Sequence, residues 1–249
     1  MDNNRIKNKS VDISYGEVQE FFNGRASKEN LYEYNRVIFQ DSEPELALRQ
    51  DKDEKELILP KLQLKEDSLV LDVGCGVGRW ADDITPDIPR GAYIGVDFSS
   101  ELLKIAQAKK LKNTSFYQGR FQDLDKLAKE NFADKLFDVA LVNGVCMYIN
   151  DDDLENCLAK VYSLIKPGGI FYAKESVGKT ERLTLKDFYS EELDHSYNAI
   201  YRSIADYEQA FGNVFADYKI TAAGEVFREK NNNRAETTNY YWIINKARS

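Results

Sequence analysis

Apolar residues in this chain fall in short continuous runs that alternate with segments of helical period. Leu69 to Leu71 with Val73, Ala92 to Val96, Phe116-Tyr117-Gln118 and Phe137 to Val145 read as strands. Continuous rather than alternating apolar runs belong to strands covered on both faces, as in a parallel sheet. Between them, Leu102, Leu103, Ile105 and Ala106 repeat at helical spacing, with Ser99 or Ser100 as N-cap and Glu101 in the first turn. Asp151 to Asp153 open another helix, whose apolar face is Leu154, Cys157, Leu158, Val161, Leu164 and Ile165. Pro167 stops it, and Gly168-Gly169 supply the left-handed reversal into a strand at Ile170-Phe171. Two late strands are expected at about 217–221 and 239–245, with the turn between them at Asn231-Asn232-Asn233. The pattern predicts one large α/β domain, which 249 residues suffice to build.

Ahead of residue 66 the pattern differs. Val18, Phe21, Phe22 and Arg25 share a helical face, with Tyr15, Tyr32 and Tyr34 around them. Glu45 to Leu59 reads as a charged amphipathic helix ended by Pro60, its charges expected in solvent. We divide the chain into an N-terminal helical cap, residues 1–65, and a main domain, residues 66–249, with a lid insertion at about 176–211. The insertion begins with the loop-like stretch 176–182, is rich in tyrosine (Tyr189, Tyr197, Tyr201, Tyr207), and holds the one histidine of the chain, His195. Aromatic rings with polar tips suit a pocket for a polar organic molecule.

The chemistry concentrates at Val70-Leu71-Asp72-Val73-Gly74-Cys75-Gly76-Val77-Gly78-Arg79-Trp80, where a buried strand runs into three glycines and a helix start. Glycine there lets the backbone turn sharply and approach a ligand. The spacing selects which ligand. Dinucleotide folds use G-x-G-x-x-G; this chain has Asp-x-Gly-x-Gly-x-Gly, tighter by one residue and led by a carboxylate. A pyrophosphate gains nothing from Asp72, whereas a cofactor with an α-ammonium and a sulfonium does. Nineteen residues after Gly78, Asp97 closes the next strand, placed to accept both hydroxyl protons of a ribose. Phe98 follows, placed for the adenine face.

These paired motifs resemble those of the class I S-adenosylmethionine-dependent methyltransferases, and the resemblance continues in order over residues 66 to 175. It implies a Rossmann-like, doubly wound, seven-stranded sheet, mostly parallel with an antiparallel last strand, with helices on both faces. It implies S-adenosyl-L-methionine as cofactor and S-adenosyl-L-homocysteine as product, held by Asp72, Gly74, Cys75, Gly76, Gly78, Asp97 and Phe98. Arg120 and Phe121 occupy the place where the family commonly has Gly-Asp-Ala against the adenine; the acid is absent at Arg120, and Asp123 is the substitute in the next turn. Asn143 ends the strand that resembles the fourth motif, beside the reacting methyl. An N-terminal helix in such enzymes offers Tyr or Arg to the methionine carboxylate, a role Arg25 suits by charge and fork geometry. The alternative is an aromatic face packed on the core, with Arg25 in solvent. Tyr15, Tyr201 and Arg202 are assigned to the acceptor, and His195 and Glu175 are the candidate bases if the acceptor is a hydroxyl. An amine acceptor needs mainly positioning.

Composition narrows the acceptor. The net charge is -8, with lysines scattered, so a nucleic-acid acceptor is not expected and an RNA methyltransferase is the alternative reading. A small polar metabolite fits better, and a faint likeness of the opening segment to enzymes of bacterial surface polysaccharides points to a sugar or phosphate-linked precursor. Three cysteines without Cys-x-x-Cys spacing fit a reducing cytoplasm, and one histidine excludes a His-based metal cluster. No apolar window reaches the length of a membrane span, and no signal peptide is expected. The oligomeric state is left open, with a homodimer among the options. Two rivals remain: a nicotinamide dehydrogenase, which calls for wider glycine spacing, and a non-catalytic binder of the same cofactor on the same fold.

Overall fold

The computed structural model describes residues 4–29, 31–133, 135–227 and 234–248. Its main sheet contains β2 (Leu69–Val73), β3 (Ala92–Asp97), β4 (Thr114–Gln118), β5 (Phe137–Asn143), β6 (Ile165–Gly178), β9 (Tyr218–Glu225) and β10 (Thr237–Lys246), in the order β4-β3-β2-β5-β6-β10-β9. The strands from β4 to β6 are mutually parallel, while β10 runs antiparallel to both β6 and β9. The seven-stranded, doubly wound sheet with its reversed last strand is therefore as expected. The expected turn at Asn231-Asn232-Asn233 lies outside the described residues. The chain leaves β2 toward β3 and β4, then returns to β5 on the other side of β2. The carboxyl ends of β2 and β5, carrying Gly74 and Asn143, thus flank the topological switch where such sheets bind ligands.

Each strand divides its apolar residues between two layers, the consequence of a two-residue side-chain period. Leu71, Val73, Ile94 and Val142 pack with helices α5 (Leu124–Asn131), α6 (Asp151–Ser163) and α7 (Ile204–Val214). Val70, Tyr93, Val139 and Leu141 face the other way, onto Ile58 of α2 (Pro44–Ile58) and Ala81 and Ile84 of α3 (Ala81–Ile84). Local signals place the ends. Ser99 caps α4 (Ser100–Ala108) by accepting from the Leu102 N–H, and Ser203 with Asp206 forms a reciprocal capping box on α7. Of the Gly168-Gly169 pair, only Gly168 takes a positive φ, of 79°.

A third core sits above the carboxyl ends. Strand β1 (Arg5–Lys7) joins β7 (Leu183–Ser190) and β8 (His195–Tyr201) in a small antiparallel sheet. Helix α1 (Tyr15–Ala26) packs against it through Val18, Phe21 and Phe22, with Tyr148 and Tyr197. The expected loop at 176–182 is instead the end of β6 and a short turn, and the segment after it is a hairpin. Its alternation Leu183-Thr184-Leu185 and Tyr197-Asn198-Ala199 carries the period of two that marks such strands.

Helix α2 departs most from expectation. Its charges were expected in solvent, yet Gln50, Asp51, Glu54 and Lys55 are all buried. Asp51 and Glu54 take the two ends of the Arg79 guanidinium, each at 2.7 Å, and Lys55 bridges Asp51 at 2.8 Å and Asp83 at 2.5 Å. The turn after the glycine run supplies a cation, and a buried carboxylate beside it costs less than one alone.

Candidate active site

A cavity of about 430 Å³ opens at the switch point, between the carboxyl ends of the main sheet and the third core. Its lower wall is the turn from β2. Gly74 and Gly76 adopt positive φ, 76° and 54°, and a Cβ on Gly76 would stand 2.9 Å from Val37 while one on Gly74 would collide with Val145. Both conformation and clearance thus require glycine. Gly78 also has a positive φ, but it lies beneath α4 with Ala106 and Phe116 and does not line the cavity, so its expected ligand contact is corrected to a packing role.

Asp97 ends β3 with its carboxylate already oriented. Oδ2 accepts from the Gly76 N–H and Oδ1 from the Ser99 N–H, both at 2.8 Å, which leaves each oxygen a further lone pair toward the cavity. Burial pushes its pKa up to about 6 against those two hydrogen bonds. Asp72, 1% exposed, accepts from the Tyr93 hydroxyl, and burial raises it to about 7. Cys75, Phe98, Arg120 and Phe121 line the same end, and Arg120 reaches Gln19 of α1 at 3.3 Å. Asp123 does not line the cavity; its carboxylate pairs with Lys126. Two buried carboxylates at one end, one preset for a diol, fit a ribose joined to a cationic sulfonium and ammonium.

The middle of the cavity holds a polar cluster that the sequence did not announce. Asn143 and Tyr172 both donate to Oε1 of Glu54, Tyr172 at 2.6 Å. Burial opposes the Glu54 charge, but the Arg79 guanidinium, Lys174 and these hydrogen bonds outweigh it and hold the carboxyl near 2. Lys174, beside Asn143 in the β5–β6 register, reaches Asn239 of β10 at 3.4 Å. A lysine directly after the apolar run Ile170-Phe171-Tyr172-Ala173 was the available signal for this cluster, as was an arginine directly behind three glycines. Beyond it the chamber is lined by Val18, Phe22, Phe39, Leu183, Leu185, Phe188 and Tyr197.

Four expected site residues lie elsewhere: Arg25 for the cofactor, Arg202 for the acceptor, and the candidate bases Glu175 and His195. Arg25 is neither in solvent nor at the cavity: its guanidinium forks onto Asp41 at 2.8 and 2.7 Å, donates to the Arg36 and Asn35 carbonyls, and lies over Phe39. Arg202 is 1% exposed and is spent on Asp151 and on the Cys146 and Ile149 carbonyls. Glu175 points away from the cavity, where its carboxylate accepts from the N–H groups of Val145, Cys146 and Met147 at 3.1, 2.8 and 3.1 Å. His195 is exposed at the start of β8, bonded to the Ser196 carbonyl at 2.7 Å and edge-on to Phe21. Neither candidate base faces the reacting end. Tyr15 and Tyr201 do line the cavity, though the Tyr15 hydroxyl is tied to Asp153 at 2.6 Å, and burial with that bond pushes it up to about 12.

This sheet order, the glycine turn and the acid at the end of the second core strand make a Rossmann-like fold of the kind that methyltransferases share. Residues 70–169 match the family model described as Methyltransferase domain. Phosphoethanolamine N-methyltransferase 1 of Triticum aestivum is 25% identical over 170 residues, 66% of this chain and 33% of that protein. Demethylmenaquinone methyltransferase of Lactococcus lactis is 34% identical over 105 residues, 40% of this chain and 38% of that protein. The chain therefore spans a third to two-fifths of the length of these relatives. Among solved structures, Haemonchus contortus phosphoethanolamine N-methyltransferase 1, with phosphoethanolamine and S-adenosylhomocysteine, aligns at TM-score 0.70 and 18% identity over 92% of this chain and 48% of that one. Burkholderia thailandensis 1,6-didemethyltoxoflavin-N1-methyltransferase aligns at 0.64 and 16% over 98% and 95%. These likenesses concern the fold.

Proposed function

We propose that the protein transfers a methyl group from S-adenosyl-L-methionine to an amine or hydroxyl of a small organic acceptor. The observation that carries this is Asp97, whose carboxylate is held by two backbone N–H groups at the mouth of the glycine turn with lone pairs left over. In this reading Asp97 holds the ribose, and Gly74, Cys75 and Gly76 face the methionine portion. Asp72 favours its cationic groups, Phe98, Arg120 and Phe121 surround the adenine, and Asn143 stands beside the methyl. The bound cofactor supplies an activated methyl on sulfur. The chain's own task is to align a nucleophile behind it and exclude water.

The acceptor enters the chamber beneath β7 and β8. The seven apolar and aromatic residues named above line it beside Arg5, Gln40, Ser190 and Arg234, so an acceptor with an apolar body and a polar end suits it. Tyr201 belongs with that wall, and Tyr15 contributes its ring. Residues 1–65 serve as the cap and the β7–β8 hairpin as the lid. Net charge and chamber size support a small molecule over RNA; among the described residues, no helix is long and apolar enough to cross a membrane.

Calorimetry with S-adenosylhomocysteine tests the reading. Asp97→Ala removes a charge-assisted interaction of about 1.5–3 kcal/mol, so affinity should fall roughly tenfold to a hundredfold. Unchanged affinity would remove the ribose assignment. Binding without turnover on any small amine or hydroxyl compound would leave the non-catalytic reading.

A further inference from the structure

Any acceptor that reacts through an O–H or an ammonium N–H must lose a proton, and both expected bases lie outside the cavity. Five basic residues line it: Arg5, Arg79, Arg120, Lys174 and Arg234. Four are arginines, which do not deprotonate. Three of those four are paired with carboxylates: Arg5 with Glu236, Arg79 with Asp51 and Glu54, and Arg234 with Glu192. Lys174 stands apart. Among the described residues no carboxylate comes within 4 Å of its ammonium, and its one hydrogen bond, at 3.4 Å, goes to the neutral amide of Asn239, which a neutral amine can keep.

Its place in the sheet matters equally. Lys174 is in register with Asn143 at the switch point, and Ser176, two residues on, shares its face and lines the same cavity. We propose that Lys174, as the free amine, is the general base that takes the acceptor's proton, from a hydroxyl as the methyl arrives or from an ammonium before it. The inference rests on the methyl-transfer reading above. As the new bond to the acceptor's nitrogen or oxygen forms, the sulfur–methyl bond breaks and its electron pair stays on sulfur. A hydroxyl's proton passes to Nζ of Lys174 during this step; an ammonium passes its proton to Nζ first, which frees the electron pair that forms the bond. The products are a neutral thioether, the methylated acceptor and an ammonium, which returns its proton to solvent once the cavity opens.

The surroundings favour this cycle. Burial lowers the pKa of Lys174, and Arg79 adds to that; Glu54 and Asp51 on α2 and Glu175 on the lysine's own strand oppose it, and Tyr241 is its neighbour on β10. The desolvated amine is thus easier to deprotonate than a surface lysine. The Glu54 carboxylate stabilises the ammonium once formed.

The test separates this inference from the reading beneath it. Competitive acetylation with acetic anhydride across pH, read by peptide mass spectrometry on the ligand-free protein, needs no acceptor. Lys174 should become reactive at a lower pH than Lys52, whose side chain is 74% exposed. Co-titration with Lys52, or later reaction, overturns the inference. Phosphoethanolamine and a panel of small amines and phenols are then assayed for S-adenosylhomocysteine formation. On whichever compound turns over, Lys174→Arg, a permanent cation, should cut kcat by roughly 10²–10⁴ and abolish its rise with pH, with S-adenosylhomocysteine affinity unchanged. A Lys174→Arg enzyme within a few-fold of the parent would assign the residue to charge alone and overturn its role as base. Failure of the parent to bind S-adenosylhomocysteine would sink the methyltransferase reading instead.

Discussion

The two ends of the cavity are built in opposite ways. The end that we propose holds the cofactor comes largely from one stretch of chain, residues 72 to 121, with Asn143 at the end of β5 beside it. The acceptor end is assembled from residues 5 to 40 and 183 to 237, which meet only when β1 pairs with β7 and α1 seats on the hairpin. A site whose parts follow one another in sequence is constrained by backbone geometry alone, by glycines with positive φ and acids at strand ends. A site assembled from remote segments depends on packing, which spacing does not encode.

Glu54 sits at the junction of the two ends, so its replacement is the strongest way to break the distinction between them. Glu54→Gln leaves Arg79 with Asp51 alone and deprives Tyr172 and Asn143 of a charged acceptor. Loss of one member of a buried ion pair should cost about 3–5 kcal/mol in urea unfolding, and S-adenosylhomocysteine affinity should fall with it. A variant as stable as the parent would mean that the two ends are built independently.

Asp72 sharpens the contrast by showing what the cofactor end costs when empty. Its pKa in the folded chain, about 7, lies above that of an unfolded aspartate, so the folded state binds the extra proton at intermediate pH. Ligand-free stability is lost as pH rises from about 4 through 7. Asp72→Asn should therefore raise the ligand-free protein's stability by about 1–2 kcal/mol at pH 8 and leave it unchanged near pH 4. Thermal unfolding at the two values decides; no gain at pH 8 means that the carboxylate is already compensated.

His195 gives the smallest expected effect. His195→Ala should leave turnover and cofactor affinity within about twofold, because an exposed ring bonded to a backbone carbonyl reaches no reacting group. A fall of a hundredfold or more would return the histidine to the chemistry.

The sequence disclosed the sheet, the N-cap at Ser99, the glycine turn and Asp97, because each follows from local backbone demands. It misled at Arg25, Glu175, His195 and Arg202 for a common reason. A charged residue near a predicted site looks functional in one dimension, yet the same charge is what a buried loop needs to satisfy its own carbonyls and N–H groups. Arg25 and Arg202 close loops in this way. Conversely, Asp51 and Glu54 looked like solvated helix charges because their partner, Arg79, lies more than twenty residues away.

Glu175 carries a consequence of its own. Three successive N–H groups, of residues 145 to 147, converge on its carboxylate and form an anion-receiving nest that the chain fills from within. These three N–H groups are therefore already taken and are not offered to an incoming anion. An internal side chain thus occupies what would otherwise be a ligand site, and it ties the loop after β5 to β6.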